Sequence, residues 1–556
     1  MTNAALPDFS GSRTNAEDRL CYIGTLYAQE DAEKDAMRAK LLEAGIAVPD
    51  RQKYPFEKVY FNGEMLQKYE PCMEALQTVI DAEGEDDDAW KTFEETFGKF
   101  LDFSWCSNWD GKRYDLVIYG CSGYTGYLTM EYLKRVALQR NPEEFTFAFA
   151  GRTASKVAQL RDREFMGTKW EDARILQASY DDPVSMIDLA RSARCIYNVA
   201  GPYLLTPGEI LLDACCFAGT HYCDINGEIP WMVRTLDLHE RAKDCGALIV
   251  PASAVAGGYP DLLVSLCARE TRQKYGESLK NAACYFTGGG SGAGTGGGTL
   301  ATRNAMSTGG DAIRKIMADP FALGGFIPDR DRNGLKNVQI KQGTGECTMK
   351  TRKQDADAQL AKMKEDKLNN CWCLPHTYAY FDTRICRYTN ALLADYFNQP
   401  YGRNFNFQEF AFLPAEAAAA LEGGGILKAN AAQGGAAAEK EQLEKEGKYY
   451  KQGEGPALED LDDAWLGFFG WSQSDPSEHI CRHSMIGGDG YFETARIAVE
   501  TAFTMVFDYD ELPIKGGVVT CAAMSGEKTL SRVINSGIKY KSGAWHTEVD
   551  CTPPPR

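Results

Sequence analysis

The sequence predicts an α/β protein. In this prediction a doubly wound parallel sheet is followed by a second α+β domain and preceded by an acidic, mainly helical N-terminal extension. From Tyr114 to about residue 255, apolar strand-like runs alternate with helix-like runs, which is the pattern of a parallel sheet with helices on both faces. Before Tyr114 helix-forming and charged residues dominate, with 23 acidic against 13 basic side chains.

Each element is assigned from its local pattern. The apolar runs predicted as strands are YDLVIYG, FTFAFAGR, RILQAS, CIYNVAGPY, THYCDING and ALIVPAS. The runs predicted as helices are GYLTMEYLKRVALQR, GEILLDACCFAG and IPWMVRTLDLHERAKDCG. Near the C-terminus, GGVVTCAAMSGEKTLSRVINSGIKYK is predicted to form a turn, a helix of small residues and a strand.

Composition excludes several classes of protein. The net charge of −18 argues against sequence-independent binding of nucleic acid, which needs a basic surface. The 18 cysteines are scattered and include no CxxC pair, so reduced thiols and no metal site are expected. Neither a secretory signal nor a long uncharged apolar run is present, so we expect a protein that is not secreted and has no spanning helix.

The first predicted strand leads into the stretch YDLVIYGCSGYTGYLTMEYLKR. Gly120 permits a tight turn, Gly123 lets the backbone approach a pyrophosphate, and Gly126 allows close packing of helix on strand. The helix N-terminus then offers amide donors to the phosphates. This pattern predicts a Rossmann-type dinucleotide site, and the other candidate residues in the turn are Ser122, Tyr124 and Thr125. The alternative is a plain strand-to-helix corner.

The end of the second strand indicates which dinucleotide is bound. A site for NAD(H) usually has an acidic residue there, whereas this chain has Gly151 followed by Arg152, with Lys156 close behind. Because Arg152 can pair with a 2′-phosphate, NADP(H) is favoured over NAD(H).

Two further strand ends carry candidate residues. Asn198, Ala200, Gly201, Pro202 and Tyr203 are predicted to line the nicotinamide side.

The next strand end is predicted to bring His221, Asp224 and Glu228 to a similar edge. Tyr203, His221 and Asp224 are the candidates for proton transfer. For Asp224, an alternative interpretation is that it forms a turn with Asn226.

These motifs, in this order, resemble the saccharopine dehydrogenase-like oxidoreductases, which include trans-acting enoyl reductases and animal proteins of lipid droplets. The segments that carry the resemblance are DLVIYGCSGYTG, AGRTASK, YNVAGPYLLTPGEILLDACCFAGTHYCDINGE, GALIVPASAVAGGYPDLL and DGYFETARIAVETA. The resemblance implies a Rossmann domain, an α+β domain and nicotinamide-dependent redox chemistry. It supplies no agreed catalytic residue. Gly296 stands where relatives often have serine in the loop "SGGT".

We therefore expect four segments: the extension at 1–113, the Rossmann domain at 114–255, the α+β domain at 256–490, and a C-terminal segment at 491–556 that returns to the Rossmann domain. The Ala/Gly-rich stretch 411–447 is predicted to be a mobile surface insertion.

Two hypotheses of function follow. The first is an NADP(H)-dependent oxidoreductase that transfers a hydride to or from a C=C, C=O or C=N group of a small, lipid-like molecule. The second is a nucleotide-binding, non-catalytic subunit of a larger assembly, motivated by the long extension and insertion. The sequence leaves open whether the chain forms a homodimer, binds a protein partner through residues 1–113 or associates peripherally with lipid. It also leaves open whether the protein is cytoplasmic or organelle-soluble.

Overall fold

A computed structural model describes most of the chain from Tyr114 onwards. The described ranges are 114–140, 145–289, 294–326, 364–414 and 443–550 without 526, with residues 441, 552 and 554, the strands at 46–47, 335–342 and 345–352, and scattered residues between 74 and 95. The prediction of a helical extension and most of the Ala/Gly-rich insertion lie outside the described residues.

The strands are numbered in chain order. They are β1 (Ile46–Ala47), β2 (Tyr114–Tyr119), β3 (Phe147–Gly151), β4 (Arg174–Gln177), β5 (Ala193–Asn198), β6 (His221–Asp224), β7 (Leu248–Val250), β8 (Ser278–Gly289), β9 (Gly325–Phe326), β10 (Leu335–Gln342), β11 (Gly345–Arg352), β12 (Lys364–Asp366), β13 (Cys371–Leu374), β14 (Asn406–Pro414), β15 (Trp465–Asp475), β16 (Ile480–Gly487), β17 (Gly517–Val518) and β18 (Lys539–Ser542).

The helices from Tyr124 onwards are numbered in the same way. They are α1 (Tyr124–Tyr132), α2 (Ala154–Phe165), α3 (Pro183–Ser192), α4 (Glu209–Ala218), α5 (Ile229–Thr235), α6 (His239–Asp244), α7 (Val255–Tyr275), α8 (Gly297–Thr308), α9 (Gly310–Ala318), α10 (Ala379–Phe397), α11 (Gly490–Phe507), α12 (Cys521–Ser525) and α13 (Lys528–Asn535). Helix α1 continues through a π-helical turn, Leu133–Ala137, to Arg140.

The first large sheet is parallel. Its seven strands lie in the order β17-β7-β6-β5-β2-β3-β4. Leu116, Val117 and Ile118 of β2 are completely buried, as expected for a parallel strand covered on both faces. The order of strands reverses between β2 and β5, which opens a crevice at their carboxyl ends. The predicted doubly wound sheet is confirmed.

The second large sheet is mixed. Its order is β12-β13-β14-β8-β15-β16-β18, with β14 and β8 parallel and the other neighbours antiparallel. Helices α7 and α10 pack on this sheet and bury Tyr259, Leu263, Phe407 and Phe468 in its core. The predicted α+β domain is confirmed.

One predicted helix is interrupted. The segment IPWMVRTLDLHERAKDCG forms α5 and α6 with a 3₁₀ turn, Leu236–Leu238, between them. Leu236 and Leu238 are both buried. Residues two apart in a straight α-helix point to different faces, so the tighter turn lets both leucines reach the core.

The C-terminal segment joins both sheets. Helix α11 packs on α1 and against β5 and β6, and β17 pairs with β7. Strand β18, in contrast, pairs with β16 of the second sheet. The segment thus reaches beyond the Rossmann domain to which it was predicted to return.

Among the described helices, none combines the length and the apolar character needed to cross a membrane.

Candidate functional site

The glycine turn after β2 is shaped by two close contacts. Gly120 has a φ of +95°, and a Cβ on it would lie 2.7 Å from the backbone nitrogen of Ala200. A Cβ on Gly126 would lie 2.5 Å from the carbonyl oxygen of Cys121. A Cβ on Gly123 would meet only the carbonyl oxygen of Gly120, at 3.6 Å. Gly123 therefore presents open backbone at the N-terminus of α1, as a pyrophosphate site requires.

A continuous cavity of about 950 Å³ lies along the carboxyl edge of the first sheet and is bordered on its other side by the second domain. The predicted residues that line it are Gly120, Ser122, Gly123, Tyr124, Thr125, Gly151, Arg152, Lys156, Ala200, Gly201, Pro202 and Tyr203. The predicted residues that do not line it are Gly126, Asn198, His221 and Asp224.

One end of the cavity lies beside the end of β3. Arg152 and Lys156 are exposed there, and Thr153 begins α2 between them. Sequence analysis missed Asp181, which follows β4 and is the one acidic residue among the described lining residues. With Arg303, three cationic side chains and one carboxylate line the described cavity. The cavity therefore suits an anionic ligand although the chain carries a net charge of −18.

Asn198 fixes the loop after β5 from inside the core. It is completely buried, and its Nδ2 donates to the hydroxyls of Tyr180 at 3.1 Å and Tyr222 at 3.0 Å. Its Oδ1 accepts a hydrogen bond from the Ala200 amide at 2.9 Å. These bonds turn the side chain of Asn198 into the core and away from the cavity that it was predicted to line.

Tyr203 borders the cavity, but its hydroxyl is engaged elsewhere. The hydroxyl donates to the carbonyl oxygen of Asn198 at 2.9 Å and accepts from the Ile225 amide at 3.3 Å. Burial raises the pKa of Tyr203 well above 10. This geometry favours a role in holding two loops together over the predicted role in proton transfer.

Asp224 is also a structural residue in this arrangement. It is completely buried and accepts hydrogen bonds from Trp231 Nε1 at 3.0 Å and from the Ala252 amide at 2.9 Å. Asn226 donates to it through both its amide and its side chain. Burial raises its pKa, against the effect of these bonds. The alternative interpretation, turn formation with Asn226, therefore fits Asp224 better.

His221 lies away from the cavity. It begins β6 beside Cys195, whereas Asp224 ends β6 beside Asn198. Its Nδ1 accepts a hydrogen bond from the Leu248 amide at 3.2 Å. His221, predicted to lie at the same edge as Asp224, is thus at the opposite end of the strand.

The second domain contributes lining residues that sequence analysis did not single out. Those that bear on the chemistry are Phe286, Thr302, Arg303, Met306, Tyr378 and Tyr491. The hydroxyl of Tyr491 accepts from the Gly296 amide at 2.5 Å. Among the described residues, none forms a hydrogen bond with the Tyr378 hydroxyl. The glycine-rich run before α8 was a usable signal for this wall, since Gly296 and Thr299 line the cavity.

Glu228 connects the two domains beside the cavity. Its carboxylate accepts from the amides of Tyr203 at 3.2 Å and Leu204 at 2.7 Å, and from Thr302 Oγ1 on α8 at 2.9 Å. Burial raises its pKa to about 7, although these bonds oppose the shift. Glu228 thus fixes the loop after β5 against α8.

A Rossmann-type sheet with a cavity at its carboxyl edge, closed by a second α+β domain, is the arrangement of two-domain nicotinamide-dependent oxidoreductases. The chain is similar to reductases of mycobacteria. It is 28% identical over 443 residues to a protein of Mycobacterium tuberculosis provisionally named trans-acting enoyl reductase, with 78% of this chain and 98% of that protein covered. The trans-acting enoyl reductase of Mycobacterium leprae is 27% identical over 450 residues, with 77% and 97% covered. These relatives confirm the expected resemblance and support an oxidoreductase.

Solved structures that align with the fold of this chain share less sequence identity with it. Saccharopine dehydrogenase (L-Glu forming) from Saccharomyces cerevisiae aligns over 78% of this chain and 100% of its own, at 11% identity and a TM-score of 0.40. An engineered D-amino acid dehydrogenase bound to NADP⁺ aligns over 76% and 98%, at 12% identity and a TM-score of 0.32. No protein-family model matches the chain.

Proposed function

We propose that the chain is an NADP(H)-dependent oxidoreductase that transfers a hydride to or from a double bond of a lipid-like molecule. The observation that carries the proposal is the continuous cavity. It joins the glycine turn and Arg152 to the apolar and tyrosine side chains of the second domain. A dinucleotide and a substrate can meet only in such a shared space.

The residues of the first domain fit the cofactor. The open backbone at Gly123 and the N-terminus of α1 would hold the pyrophosphate, and the bound NADP(H) would supply the hydride. Arg152 and Lys156 would pair with the 2′-phosphate. Ala200 and Gly201 would leave room for the nicotinamide, since both are small and line the cavity.

The substrate class is inferred from the opposite wall. Phe286, Met306 and Leu466 provide apolar surface, and Arg303 provides a cation at its margin. Such a wall suits an acyl chain that ends in an anionic or polar carrier group. The names of the relatives favour a conjugated C=C bond among the three groups that the sequence left open.

Tyr378 is our candidate for the proton donor. It lines the second-domain wall, and its hydroxyl is not used by a described neighbour, in contrast to the hydroxyls of Tyr203 and Tyr491. A positioned phenol can protonate the carbon or oxygen next to the site of hydride addition.

A second candidate function is a nucleotide-binding subunit without turnover. It is favoured by one observation: the hydroxyl of Tyr203 and the carboxylate of Asp224 are held by structural hydrogen bonds, and His221 lies at the far edge. In that case the cavity would bind a dinucleotide for stability or regulation alone.

Titration of the purified chain with NADPH and NADH tests the cofactor assignment. We expect NADPH to bind more tightly, and Arg152→Ala to weaken NADPH binding by about tenfold to hundredfold while NADH binding stays nearly unchanged. Arg174→Ala is the matched control, because Arg174 is exposed at the start of β4 and lies outside the cavity. Equal affinities for the two dinucleotides in the wild type would contradict the assignment.

Turnover separates the two candidate functions. Oxidation of NADPH in the presence of medium-chain and long-chain enoyl thioesters would support the reductase. Tight binding of NADPH without oxidation by enoyl, carbonyl or imine substrates would support the non-catalytic subunit.

A further inference from the structure

Three side chains of the second domain converge behind the cavity wall. His376 precedes α10, Asp382 lies in the first turn of α10, and Glu409 lies in β14. One ligand atom from each lies within 4.8 Å of the others, and His376 Nε2 is 3.9 Å from Glu409 Oε1. The group combines a nitrogen donor with two carboxylates.

The two carboxylates lack the partners that burial demands. Glu409 is 3% exposed, and among the described residues its oxygens have no partner except the carboxyl group of Asp382. Asp382 is 1% exposed; one oxygen accepts from the Gly257 amide, and the other faces Glu409, so the two carboxyl groups can share at most one proton. Buried polar atoms without partners are costly, so a ligand that satisfies three of them at once would be strongly favoured.

No cation in the described structure balances this charge. The ionisable groups that act on Asp382 and Glu409 are each other and the buried carboxylate of Asp261. The thiols of Cys284 and Cys386 lie close enough to interact electrostatically with both carboxylates.

His376 offers an imidazole nitrogen to the group, since its Nε2 lies 3.9 Å from Glu409 Oε1. The Gly257 amide holds one oxygen of Asp382 and directs the other towards the group, which is the usual arrangement around a ligating carboxylate.

We propose that His376, Asp382 and Glu409 bind a divalent transition-metal ion, with Zn²⁺ as the representative ion. Zinc takes imidazole nitrogen and carboxylate oxygen at about 2.0–2.2 Å, which places neighbouring ligand atoms roughly 3.3 Å apart. The present separations need only small side-chain movements to reach that spacing. A water molecule would complete four ligands.

The ion would fix the wall that faces the substrate. It ties the segment before α10 to β14, and the His376 ring lies 4.7 Å from the ring of Phe286, which lines the cavity. Its role is structural, because none of the three ligands lines the cavity.

Metal analysis of the full-length chain tests the proposal. The protein is stripped with a chelator, dialysed against Zn²⁺ and analysed by inductively coupled plasma mass spectrometry. We expect about one tightly bound Zn²⁺ per chain and a loss of affinity of at least about 100-fold in Glu409→Gln. Cys371→Ser is the matched control. Asp366, Cys371 and Cys373 form a second group of candidate ligands, but Asp366 already accepts from Tyr285 and Asn369.

A chain that takes up no Zn²⁺ would overturn the proposal. So would uptake that survives in Glu409→Gln or disappears in Cys371→Ser, because the ion would then lie elsewhere. If Glu409→Gln does not fold, His376→Gln takes its place, since His376 is only partly enclosed. Co²⁺ uptake by the wild type gives a second readout, because visible absorption bands of a tetrahedral site are expected, and their absence would contradict the assigned ligands. These measurements need neither NADPH nor a substrate, so they are independent of the proposed function.

Discussion

Two glycines of the turn after β2 differ in what a methyl group would meet. Gly123→Ala places its Cβ at an ordinary contact distance, 3.6 Å from the Gly120 carbonyl oxygen, so we expect a stable protein. We expect at least about tenfold weaker NADPH binding, because the methyl group keeps the pyrophosphate from the backbone. Gly126→Ala places its Cβ against the backbone of Cys121, so we expect a loss of stability of about 1–3 kcal/mol or more. Thermal unfolding and NADPH titration of both variants check this. Equal loss of stability in both would contradict it.

Two tyrosines at the cavity give a second pair. Tyr378→Phe is expected to lower kcat by about 100-fold with little change in NADPH affinity, since a positioned acid contributes about that factor or more. Tyr203→Phe is expected to cost about 1 kcal/mol of folding stability, because it removes two hydrogen bonds to backbone groups. Steady-state kinetics and thermal unfolding separate the two roles. Unchanged kcat in Tyr378→Phe would remove it as proton donor.

The sequence identified the residues at the strand ends more easily than it identified the roles of those residues. Gly120, Arg152 and Gly201 were predicted at the cavity because the strand-end pattern is local. Asn198 and Asp224 were given ligand roles, yet both are used to satisfy buried groups. Tyr180 and Tyr222, the partners of Asn198, and Trp231, a partner of Asp224, come from other elements and are not identifiable from spacing.

At the scale of elements, Glu228 links the loop after β5 to α8 and makes stability depend on pH. Its pKa in the folded chain is about 7 against an ordinary value of 4.5, so the folded state binds the proton more tightly than the unfolded state. The stabilisation that this proton gives to the folded state is therefore fully present below about pH 4.5. It is lost as the pH rises through about 7. We expect the free energy of unfolding to fall over this window, by up to about 3 kcal/mol from Glu228.

Urea unfolding at several pH values measures this dependence. Glu228→Gln should reduce the slope between about pH 4.5 and 7, whatever its effect on absolute stability. Glu171→Gln is the control, because Glu171 is exposed and distant from α8. A slope that is the same in Glu228→Gln and in the wild type would show that Glu228 is not the titrating group.

The parallel sheet was predictable because alternating apolar runs are a local signal. It was harder to predict which residue of a short strand lies at its carboxyl end, as His221 illustrates. In a strand of only four residues, one end faces the cavity and the other faces away. The glycine-rich run before α8 marked one part of the second-domain wall, but the position of Tyr378 beside it could not be derived from the sequence. The residues of this wall lie far along the chain from the glycine turn, and only the packing of the second domain brings them to the cavity.

At the scale of the whole molecule, α11 joins both hydrophobic cores. Val499 lies in the core of the first domain and Ile497 in the core of the second, and both are completely buried. We therefore expect a single cooperative unfolding transition. Ile497→Ala should cost about 2–5 kcal/mol and lower the transition of both domains together.

Calorimetry with fluorescence of single-tryptophan variants checks this, since Trp231 reports on the first core and Trp545 packs on the second sheet. Two separate transitions, or a shift in the second domain alone, would contradict it.

The position of α11 also sets the order in which the protein can be completed as it is synthesised. The strands that α11 covers are made by residue 224, but the helix ends only at Phe507, and the edge strand β17 follows at residue 517. At about 5–20 residues per second, a ribosome needs roughly 15–60 s to bridge that interval. During this time the apolar surface of α1, β5 and β6 that α11 later covers stays exposed and can associate with other nascent chains. We therefore expect chaperones to shield this surface during the interval. A late stop codon that removes α11 would leave the surface exposed permanently.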